Sequence, residues 1–504
     1  MTNENSRLRS MAVLVAVCLA SASMPLAFTG PTVALPSIGM ALGGSPVSIS
    51  WATNAYLLAF GSLLLAAGTL ADRYGRKLVF AIGTGGFAIL SLMLALVPDM
   101  TSFNLIRASE GVTAAAAMSA GMAVLAQEFD GPGRMRAFSF VGASFGIGLS
   151  VAPIASGYLF EAFGWRSIFA VVVGFDLLAF IIGMFSIVET KDPDATAVDW
   201  PGCFSFTLAL AALTAAILDG PDRGWSHPIV LILFGLSVAL LAMFIVIERR
   251  VARPMLDLSL FRYRQFVGVQ ILAAAPAYGF VVLLILLPIR LVGIDGMTAS
   301  EAGRTMLAMS APLLILPLLA GSLTRWLSPA ILCGLGLVVA SAGVFWLGQV
   351  PIGAGIAATA PTLLVIGVGI SFPWGLMDGL AVSVVPKERA GMAAGIFGTV
   401  RVAGEGIALA LVTALLNGLA QSQVSDLIPQ PGNSSAITLR LATGDLDGAS
   451  ALAPQVPLPI LLTGYTHAFS ALTVCLATVT LATAAVVFMS LRQPTIDRGS
   501  APQV

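Results

Sequence analysis

The stretch Gly68-Thr-Leu-Ala-Asp-Arg-Tyr-Gly-Arg-Lys77 separates two long apolar runs of the chain. It holds one acidic and three basic side chains, and glycines stand at positions 68 and 75. Gly75 permits a turn conformation that most residues avoid, and Gly68 would permit a neighbouring helix to approach closely. A short charged turn between apolar runs predicts two helices that are joined at a membrane surface.

The composition excludes an ordinary soluble protein. Of 504 residues, 58% are apolar and 10% are charged, whereas soluble globular proteins carry about 25% charged residues. The net charge of zero argues against a nucleic-acid partner. Two histidines and four widely spaced cysteines give no metal-binding pattern and no disulfide framework. We therefore expect a membrane protein that carries no metal or cofactor and is not an enzyme.

Apolar runs of membrane-spanning length recur along the whole chain. A bilayer core of roughly 30 Å requires about 20 apolar residues in a helix, and backbone groups in lipid must pair within the segment. We count fourteen such runs, so the sequence predicts an all-α integral membrane protein. The runs lie at about 11–35, 51–71, 78–97, 103–126, 137–160, 166–188, 201–219, 228–247, 266–290, 302–323, 329–349, 354–383, 391–418 and 464–490.

The distribution of basic residues predicts the orientation. Lys and Arg favour the cytoplasmic side of a membrane. With the N-terminus inside, 18 of the 25 basic residues fall in inside loops or tails and five fall outside. The other two, Arg107 and Arg401, fall within spans. We expect a multi-pass protein of the cell inner membrane with both termini cytoplasmic, and an uncleaved first span after Arg7 and Arg9.

The pattern G-x-L-A-D-R-x-G-R-K resembles the loop between helices two and three of the major facilitator superfamily. The resemblance implies two six-helix bundles that alternate access to a midplane site. Two extra spans between the halves resemble the fourteen-helix drug/proton antiporter branch, and Asp199-Trp-Pro-Gly202 and Glu248-Arg-Arg250 look like its linker. The implied domains are 11–190, the insert at 199–250, and 264–492 with a long extracytoplasmic loop at about 420–462.

The function implied by this resemblance is proton-coupled efflux of small amphipathic or drug-like molecules. The expected partners are the small-molecule substrate, protons and the lipid bilayer, with a periplasmic adaptor protein as a further candidate. The alternative is a proton-linked importer or exporter of one specific metabolite. That alternative is motivated by the intramembrane arginines and by an altered first span.

The resemblance also assigns a gating role to the charged loop. In the family, the aspartate of this loop engages a neighbouring helix end and an arginine, and so latches one conformation. The structural alternative is that these charges only fix the topology. The second-half counterpart, Gly321-Ser-Leu-Thr-Arg-Trp326, has no aspartate. The gating residues are Gly68, Asp72, Arg73, Gly75, Arg76 and Lys77.

Charged residues inside the spans are the candidates for proton coupling. Arg107 and Glu110 stand three positions apart on one helix face, and Glu110 replaces the usual glutamine of the family. A charge at the bilayer centre costs about 2.5–3.5 kcal/mol on insertion scales. The pair is therefore either structural or a proton relay that contacts substrate. Asp176 and Asp378 are the other candidate proton carriers.

The first span departs from the branch that the chain otherwise resembles. Val33-Ala34-Leu35-Pro36 matches the end of the branch's first-helix motif. That motif carries an aspartate and an asparagine where this chain has Ala27 and Thr32. The family's first-helix proton site therefore cannot be transferred to this sequence.

The fifth span resembles the family's antiporter motif. Gly146, Pro153 and Gly157 match it, and two usual glycines are replaced by Ala152 and Ser156. Small residues allow helices to pack closely in lipid, and proline kinks a helix. Because the motif is associated with exporters, the resemblance favours export over import.

Aromatic and charged residues in the core spans are candidates for the substrate cavity. A stripe of aromatic residues is more often packing or an interface belt. Trp374 is the strongest candidate because Pro373 and Gly375 flank it. The intramembrane arginines would instead favour an anionic substrate. The complete set is Trp374, Phe372, Tyr56, Phe145, Arg401 and Glu405.

Overall fold

The computed structural model describes residues 2–129, 131–191, 199–251, 256, 258–385, 390–424 and 434–492. Within these ranges the regular structure is helical. The α-helices are α1 (Thr2–Thr29), α2 (Leu35–Leu42), α3 (Pro46–Tyr74), α4 (Arg76–Leu94), α5 (Met100–Glu128), α6 (Gly131–Phe163), α7 (Arg166–Ser186), α8 (Trp200–Arg223), α9 (Pro228–Arg250), α10 (Arg264–Pro276), α11 (Val282–Gly293), α12 (Ala299–Ser310), α13 (Pro312–Leu323), α14 (Pro329–Leu347), α15 (Gly355–Ser383), α16 (Ala390–Val424), α17 (Ser434–Ala442), α18 (Leu446–Leu452) and α19 (Leu458–Leu491).

Fourteen segments of the described chain are long and apolar enough to cross a membrane. This number and the all-α class confirm the expectation from the sequence. Eleven spans are single helices, and three are interrupted: α1–α2, α10–α11 and α12–α13. Pro31 and Pro36 stand in the first turn of the elements that continue the first span, and Pro312 stands in the first turn of α13. The α10–α11 span is interrupted instead by a π-helical segment, Ala277–Val281, that follows Pro276. Proline lacks a backbone donor and disfavours a continuous helix at that point.

Successive spans run in opposite directions, so the loops lie at two ends of the molecule. We name these the Gly43 end and the Gly75 end, after the loops that follow the first and the second span. Both glycines have positive φ angles, 68° and 129°, which L side chains rarely adopt. Helix geometry therefore requires glycine at both turns.

Two helix pairs form the seam between the halves of the molecule, α3 with α16 and α6 with α12. A side chain placed on Gly61 of α3 would lie 2.3 Å from the backbone nitrogen of Ala403 in α16. A side chain on Gly157 of α6 would lie 2.5 Å from the carbonyl oxygen of Ala299 in α12. Helix backbones are thus in direct contact across the seam, as small residues allow in lipid.

The inserted helices α8 and α9 pack against each other on the outside of the α3–α16 seam. Ile217 and Leu218 of α8 join Ala410 and Ala414 of α16 in one apolar cluster. The exposed surface of α9 is apolar, as in Ile232, which is 65% exposed. Such a surface suits contact with lipid. The predicted domain boundaries at 11–190, 199–250 and 264–492 stay a prediction.

The long loop before the last span, predicted at about 420–462, is partly helical. Helix α16 continues to Val424, beyond the predicted end at 418, and α19 begins at Leu458, before the predicted start at 464. Between them α17 and α18 form a short helical pair that packs on α16 and α8. The central part of the loop, 425–433, lies outside the described residues.

The close approach at Gly61 gives a test of the seam. We expect Gly61→Ala to destabilise the protein by about 1–3 kcal/mol, because overpacking against an immobile backbone forces helices apart. Gly174→Ala is the matched control, since a side chain there meets nothing within 4 Å. Thermal unfolding of the purified proteins in detergent measures both. Equal melting temperatures for the two variants would contradict a closely packed seam at this position.

Candidate functional site

The first half of the molecule encloses an ion pair. Arg107 Nη1 donates to Glu110 Oε2 at 2.6 Å, and the two side chains are 2% and 0% exposed. The Ser91 hydroxyl donates to Glu110 Oε1 at 2.6 Å. Arg107 Nε donates to the Ala52 carbonyl at 2.9 Å, and its guanidinium lies 4.5 Å from the Tyr56 ring centroid. The buried charges are thus paired and hydrogen-bonded, which their burial requires.

Two neighbours of this pair differ in their surroundings. Tyr56 is fully buried among Phe28, Phe60 and Phe87. Its ring therefore packs inside the first half, and the expectation that Tyr56 lines a substrate cavity stays a prediction. Asp176 of α7 is 1% exposed, and its Oδ2 has no hydrogen-bond partner. A buried carboxyl of this kind is costly unless it is neutral.

Aromatic rings and an arginine meet where the two halves face each other, mostly on the Gly75 side of the middle of the spans. The Phe145 ring of α6 lies 6.4 Å from the Trp374 ring of α15, across the seam. The Arg401 guanidinium of α16 lies 4.3 Å from the Trp374 ring and 5.3 Å from the Phe145 ring. Phe280 closes the other side of Trp374, with ring centroids 6.0 Å apart. We call Phe145, Trp374, Arg401 and Phe280 the seam cluster.

Two carboxylates flank the arginine of the seam cluster. Arg401 Nη1 lies 3.8 Å from Asp378 Oδ1, and Arg401 Nε lies 3.9 Å from Glu405 Oε1. The Asp378 side chain is 63% exposed, whereas that of Glu405 is 3% exposed. Arg401 therefore bridges α15 and α16, rather than serving only an ion pair within its own helix. Asp378 presents a carboxylate at the protein surface beside an aromatic cluster.

Phe372 does not belong to the seam cluster, although the sequence suggested it. Its Cβ lies 3.2 Å from the position that a Cβ on Gly336 of α14 would take. Phe372 thus faces α14, because residues two apart on a helix point to nearly opposite sides. Its neighbour Trp374 faces the seam. The periodicity of α15 separates the two aromatic residues that stand close together in sequence.

The charged loop is anchored by residues on three helices. Arg76 Nε and Nη2 donate to Asp72 Oδ1 at 2.9 and 2.8 Å, and Arg76 Nη1 donates to Gln127 Oε1 at 2.7 Å. Glu189, just beyond α7, accepts from the backbone N–H groups of Lys77 and Leu78 at 3.2 and 3.1 Å. Its negative charge thus caps the N-terminus of α4, where unpaired N–H groups favour an anion.

The other residues of the charged loop make fewer contacts than the sequence predicts. A side chain on Gly68 would lie 3.9 Å from the Ser119 Cβ, an ordinary contact. The expectation of a close helix approach at Gly68 is therefore wrong, and Gly61 has that role. Arg73 is exposed and its guanidinium lies 5.4 Å from the Tyr74 ring. The start of α16, where a latch for Asp72 would be sought, adjoins 386–389, outside the described residues.

The glycines of the antiporter motif differ in how tightly they are packed. Gly157 is required for the contact of α6 with α12, and a side chain on Gly303 would in turn lie 2.6 Å from the Pro153 carbonyl oxygen. Gly146 is less constrained, since a side chain there would lie 3.7 Å from the Leu313 carbonyl oxygen. Gly148 admits no side chain, because the Ala22 carbonyl oxygen is 2.4 Å away.

A second buried arginine lies at the Gly43 end. The charge count from sequence placed Arg290 in an outside loop, but it lies in the last turn of α11 and is 4% exposed. It pairs with Asp295 at 3.5 Å, donates to the Val350 carbonyl, and lies 4.2 Å from the Phe469 ring. Burial raises the pKa of Asp295, and the charge of Arg290 opposes this shift.

A family comparison agrees with this architecture. The model of the Major Facilitator Superfamily matches residues 17–409 of the chain. The chain belongs to the major facilitator superfamily. It is therefore a multi-pass membrane transporter of small molecules, and the resemblance of the charged loop is confirmed at the level of the family.

The superfamily relatives are drug and antibiotic transporters by name. Puromycin resistance protein pur8 of Streptomyces alboniger is 31% identical over 84% of this chain and 85% of its own length. The probable actinorhodin transporter of Streptomyces coelicolor is 30% identical over 82% and 73%. Multidrug resistance protein Stp of Mycobacterium tuberculosis is 28% identical over 79% and 75%.

Solved superfamily structures share the fold at low sequence identity. A bacterial homologue of the human lysosomal transporter Spinster, inward-facing and unoccupied, aligns with a TM-score of 0.65 and 16% identity, over 96% of this chain and 97% of that chain. The nucleoside transporter NupG aligns with a TM-score of 0.56 and 12% identity, over 88% and 100%. These likenesses confirm the major facilitator fold.

Several groups that the structure places at the site carry little local signal in the sequence. Ser91 and the Ala52 carbonyl are brought to Arg107 and Glu110 by the packing of α3 and α4 on α5. Glu189 follows an ordinary apolar span. The only clue in the sequence was an acidic residue three positions beyond the span, at the same membrane side as the charged loop.

Substitution of Arg107 separates the structural from the functional reading of the buried pair. We expect Arg107→Met to cost about 3–5 kcal/mol, because it leaves Glu110 buried without its cation. The double variant R107M/E110L should recover most of that stability, since an apolar pair replaces a buried ion pair at little cost.

Thermal unfolding and transport assays on the same preparations provide the measurement. Arg223→Met is the control, because the Arg223–Asp219 pair is partly exposed and should contribute at most about 1 kcal/mol. A purely structural pair predicts that R107M/E110L regains transport together with stability. A proton relay predicts that stability returns and proton-driven transport does not.

Proposed function

We propose that this protein exports small amphipathic or drug-like molecules and that inward proton flow drives the export. The seam cluster carries this proposal. It places three aromatic rings and one guanidinium inside the spans, between the two halves that move in alternating access. Such a surface suits a flat, partly apolar molecule with a polar group, held by stacking and hydrophobic contact.

The relatives support a substrate of this kind. Their names refer to puromycin, actinorhodin and several drugs, which motivates the assignment of efflux to this chain. Helices α6 and α12 pack closely at Gly157 and Gly303, as the antiporter motif implies. We therefore favour export over import.

The proton carriers that we propose are Glu110 and Asp378, with Asp176 as a third candidate. Glu110 is dry and paired, whereas Asp378 is largely exposed. A carboxyl changes its proton affinity when its surroundings alternate between wet and dry. Protonation then biases one conformation, because a ligand shifts a population only through differential affinity. An inside-negative potential adds about 2.3 kcal/mol per proton per 100 mV.

The orientation completes the proposal. We place the Gly75 end and both termini in the cytoplasm, and the helical pair α17–α18 outside the inner membrane. The basic side chains Arg73, Arg76 and Lys77 at the Gly75 end support this placement, since cytoplasmic loops collect positive charge. A periplasmic adaptor protein remains a candidate partner.

The metabolite alternative rests on Arg401. An arginine that lies 14% exposed beside the seam would attract an anionic substrate. Competition assays separate the two readings. A single anion that blocks transport while aromatic drugs do not would favour a specific metabolite transporter, and broad competition by amphipathic drugs would favour the efflux pump.

Trp374→Ala tests the seam cluster as the substrate surface. We expect the apparent KM for an aromatic cation such as ethidium to rise several-fold, because stacking and desolvated contacts are lost. Phe345→Ala is the matched control, since Phe345 of α14 is 51% exposed on the outer surface. Efflux from cells that express each variant at equal level provides the measurement. An unchanged KM in W374A would remove Trp374 from the cavity.

Glu110→Gln and Asp378→Asn test the proton carriers. We expect at least one variant to insert normally and exchange substrate down its gradient, yet to lose acceleration by an imposed pH gradient, because an amide binds no proton in this range. Transport in proteoliposomes with a pH gradient of either sign provides the measurement. Asp219→Asn at the rim of α8 is the control. Full pH coupling in both variants would exclude both carboxyls.

A further inference from the structure

Two carboxyl groups lie at the Gly75 end of the inserted helices. Asp199 precedes α8, and its Oδ1 accepts from the Gly202 N–H at 2.9 Å. Glu248 lies near the end of α9, is 4% exposed, and accepts from the Leu256 N–H at 3.0 Å through Oε2. Each carboxyl thus uses one oxygen to hold the backbone. The other two oxygens, Asp199 Oδ2 and Glu248 Oε1, are buried and have no hydrogen-bond partner.

Both unpartnered oxygens lie beside Gly202. A Cβ placed on Gly202 would lie 2.3 Å from Asp199 Oδ2 and 3.1 Å from Glu248 Oε1. The absence of a side chain at Gly202 therefore lets both carboxyls approach the same place. Buried polar atoms in native proteins are nearly always hydrogen-bonded, so two unpartnered acceptors beside one residue call for a donor.

No neighbouring cation among the described residues supplies that donor. The ion pairs of the described chain do not include Asp199 or Glu248. The described basic residues on α9 and on the segment that follows are exposed; they are Arg249, Arg250, Arg262 and Arg264. Arg253 and Asp257 of that segment lie outside the described residues. The remaining titratable neighbour is the buried thiol of Cys203, one residue beyond Gly202.

We propose that Asp199 and Glu248 bind one proton between them. Two carboxylates that share a desolvated site cannot both be ionised, because like charges repel in low dielectric. One proton removes that repulsion and donates the missing hydrogen bond, so that one carboxyl becomes the donor and the other the acceptor.

The bound proton would couple the inserted helices to the seam. Leu256, whose N–H is held by Glu248, packs with Phe244 of α9 and Phe266 of α10 and with α16 at Ile396. Leu65 of α3 packs against the same cluster. Loss of the proton would drive Asp199 and Glu248 apart and loosen Leu256 from the Gly75 end of the α3–α16 seam. The site is separate from Glu110 and Asp378, and it does not depend on the identity of the transported molecule.

Infrared spectroscopy of the full-length protein tests the shared proton directly. A protonated carboxyl has a C=O stretch that a carboxylate lacks. We expect Glu248→Gln to lose the intensity of one protonated carboxyl, and Asp199→Asn to lose the same amount. The double variant D199N/E248Q should also lose only one, because the pair holds one proton. Both amides keep the backbone contacts, since Asn remains a good N-cap and Gln keeps an acceptor for Leu256.

Glu128 provides the control for this experiment. Glu128→Gln should lose no such intensity, since Glu128 pairs with Arg9 at 3.0 Å. No loss in either single variant, or twice the loss in the double variant, would overturn the proposal. Loss of the C=O band when Na⁺ or K⁺ is added at constant pH would overturn the proposal in favour of a bound metal cation. Melting temperatures close to wild type confirm that the variants fold.

Discussion

The absence of water in the bilayer core is the constraint on which the rest of this structure depends. Every backbone N–H and C=O must pair inside its own segment, so the spans are helices. The same absence removes the hydrophobic force that joins helices in water, and packing must replace it. Glycines at the seam meet this need, because Gly61 and Gly157 bring backbones into direct contact with Ala403 and Ala299.

The same low dielectric decides how charge is arranged. Arg107 and Glu110 satisfy each other together with Ser91, the Ala52 carbonyl and the Tyr56 ring. Complete pairing of this kind keeps the charges in place while the site is dry, so Glu110 can exchange a proton only when its surroundings change. Asp378, Asp176 and the Asp199–Glu248 pair lack complete partners and need a smaller rearrangement to gain or lose a proton. The partners of a charge therefore decide how readily it can change its protonation.

Much of the fold was predictable because its signals are local. Each span shows its length and apolar composition directly, and all fourteen were found with edge errors of a few residues, such as 418 against Val424. The charged loop at Gly68–Lys77 and the family resemblance also follow from contiguous residues. The site was only partly predictable. Phe372 and Trp374 stand together in sequence but face opposite sides of α15, and Gly61 rather than Gly68 makes the close contact.

The sequence by itself determined the class of protein, the number of spans and the family, because hydrophobicity, turn glycines and the charged loop each act within one segment. The tertiary structure alone decided which charges are paired. Glu189 bonds the charged loop, Arg401 contacts both α15 and α16, and Asp199 lies near Glu248. In each case the partners come from different helices or from the loops beside them. These contacts depend on the rotation and packing of the helices, because each helix presents different residues to different neighbours. A local sequence pattern does not show which helix will be the neighbour.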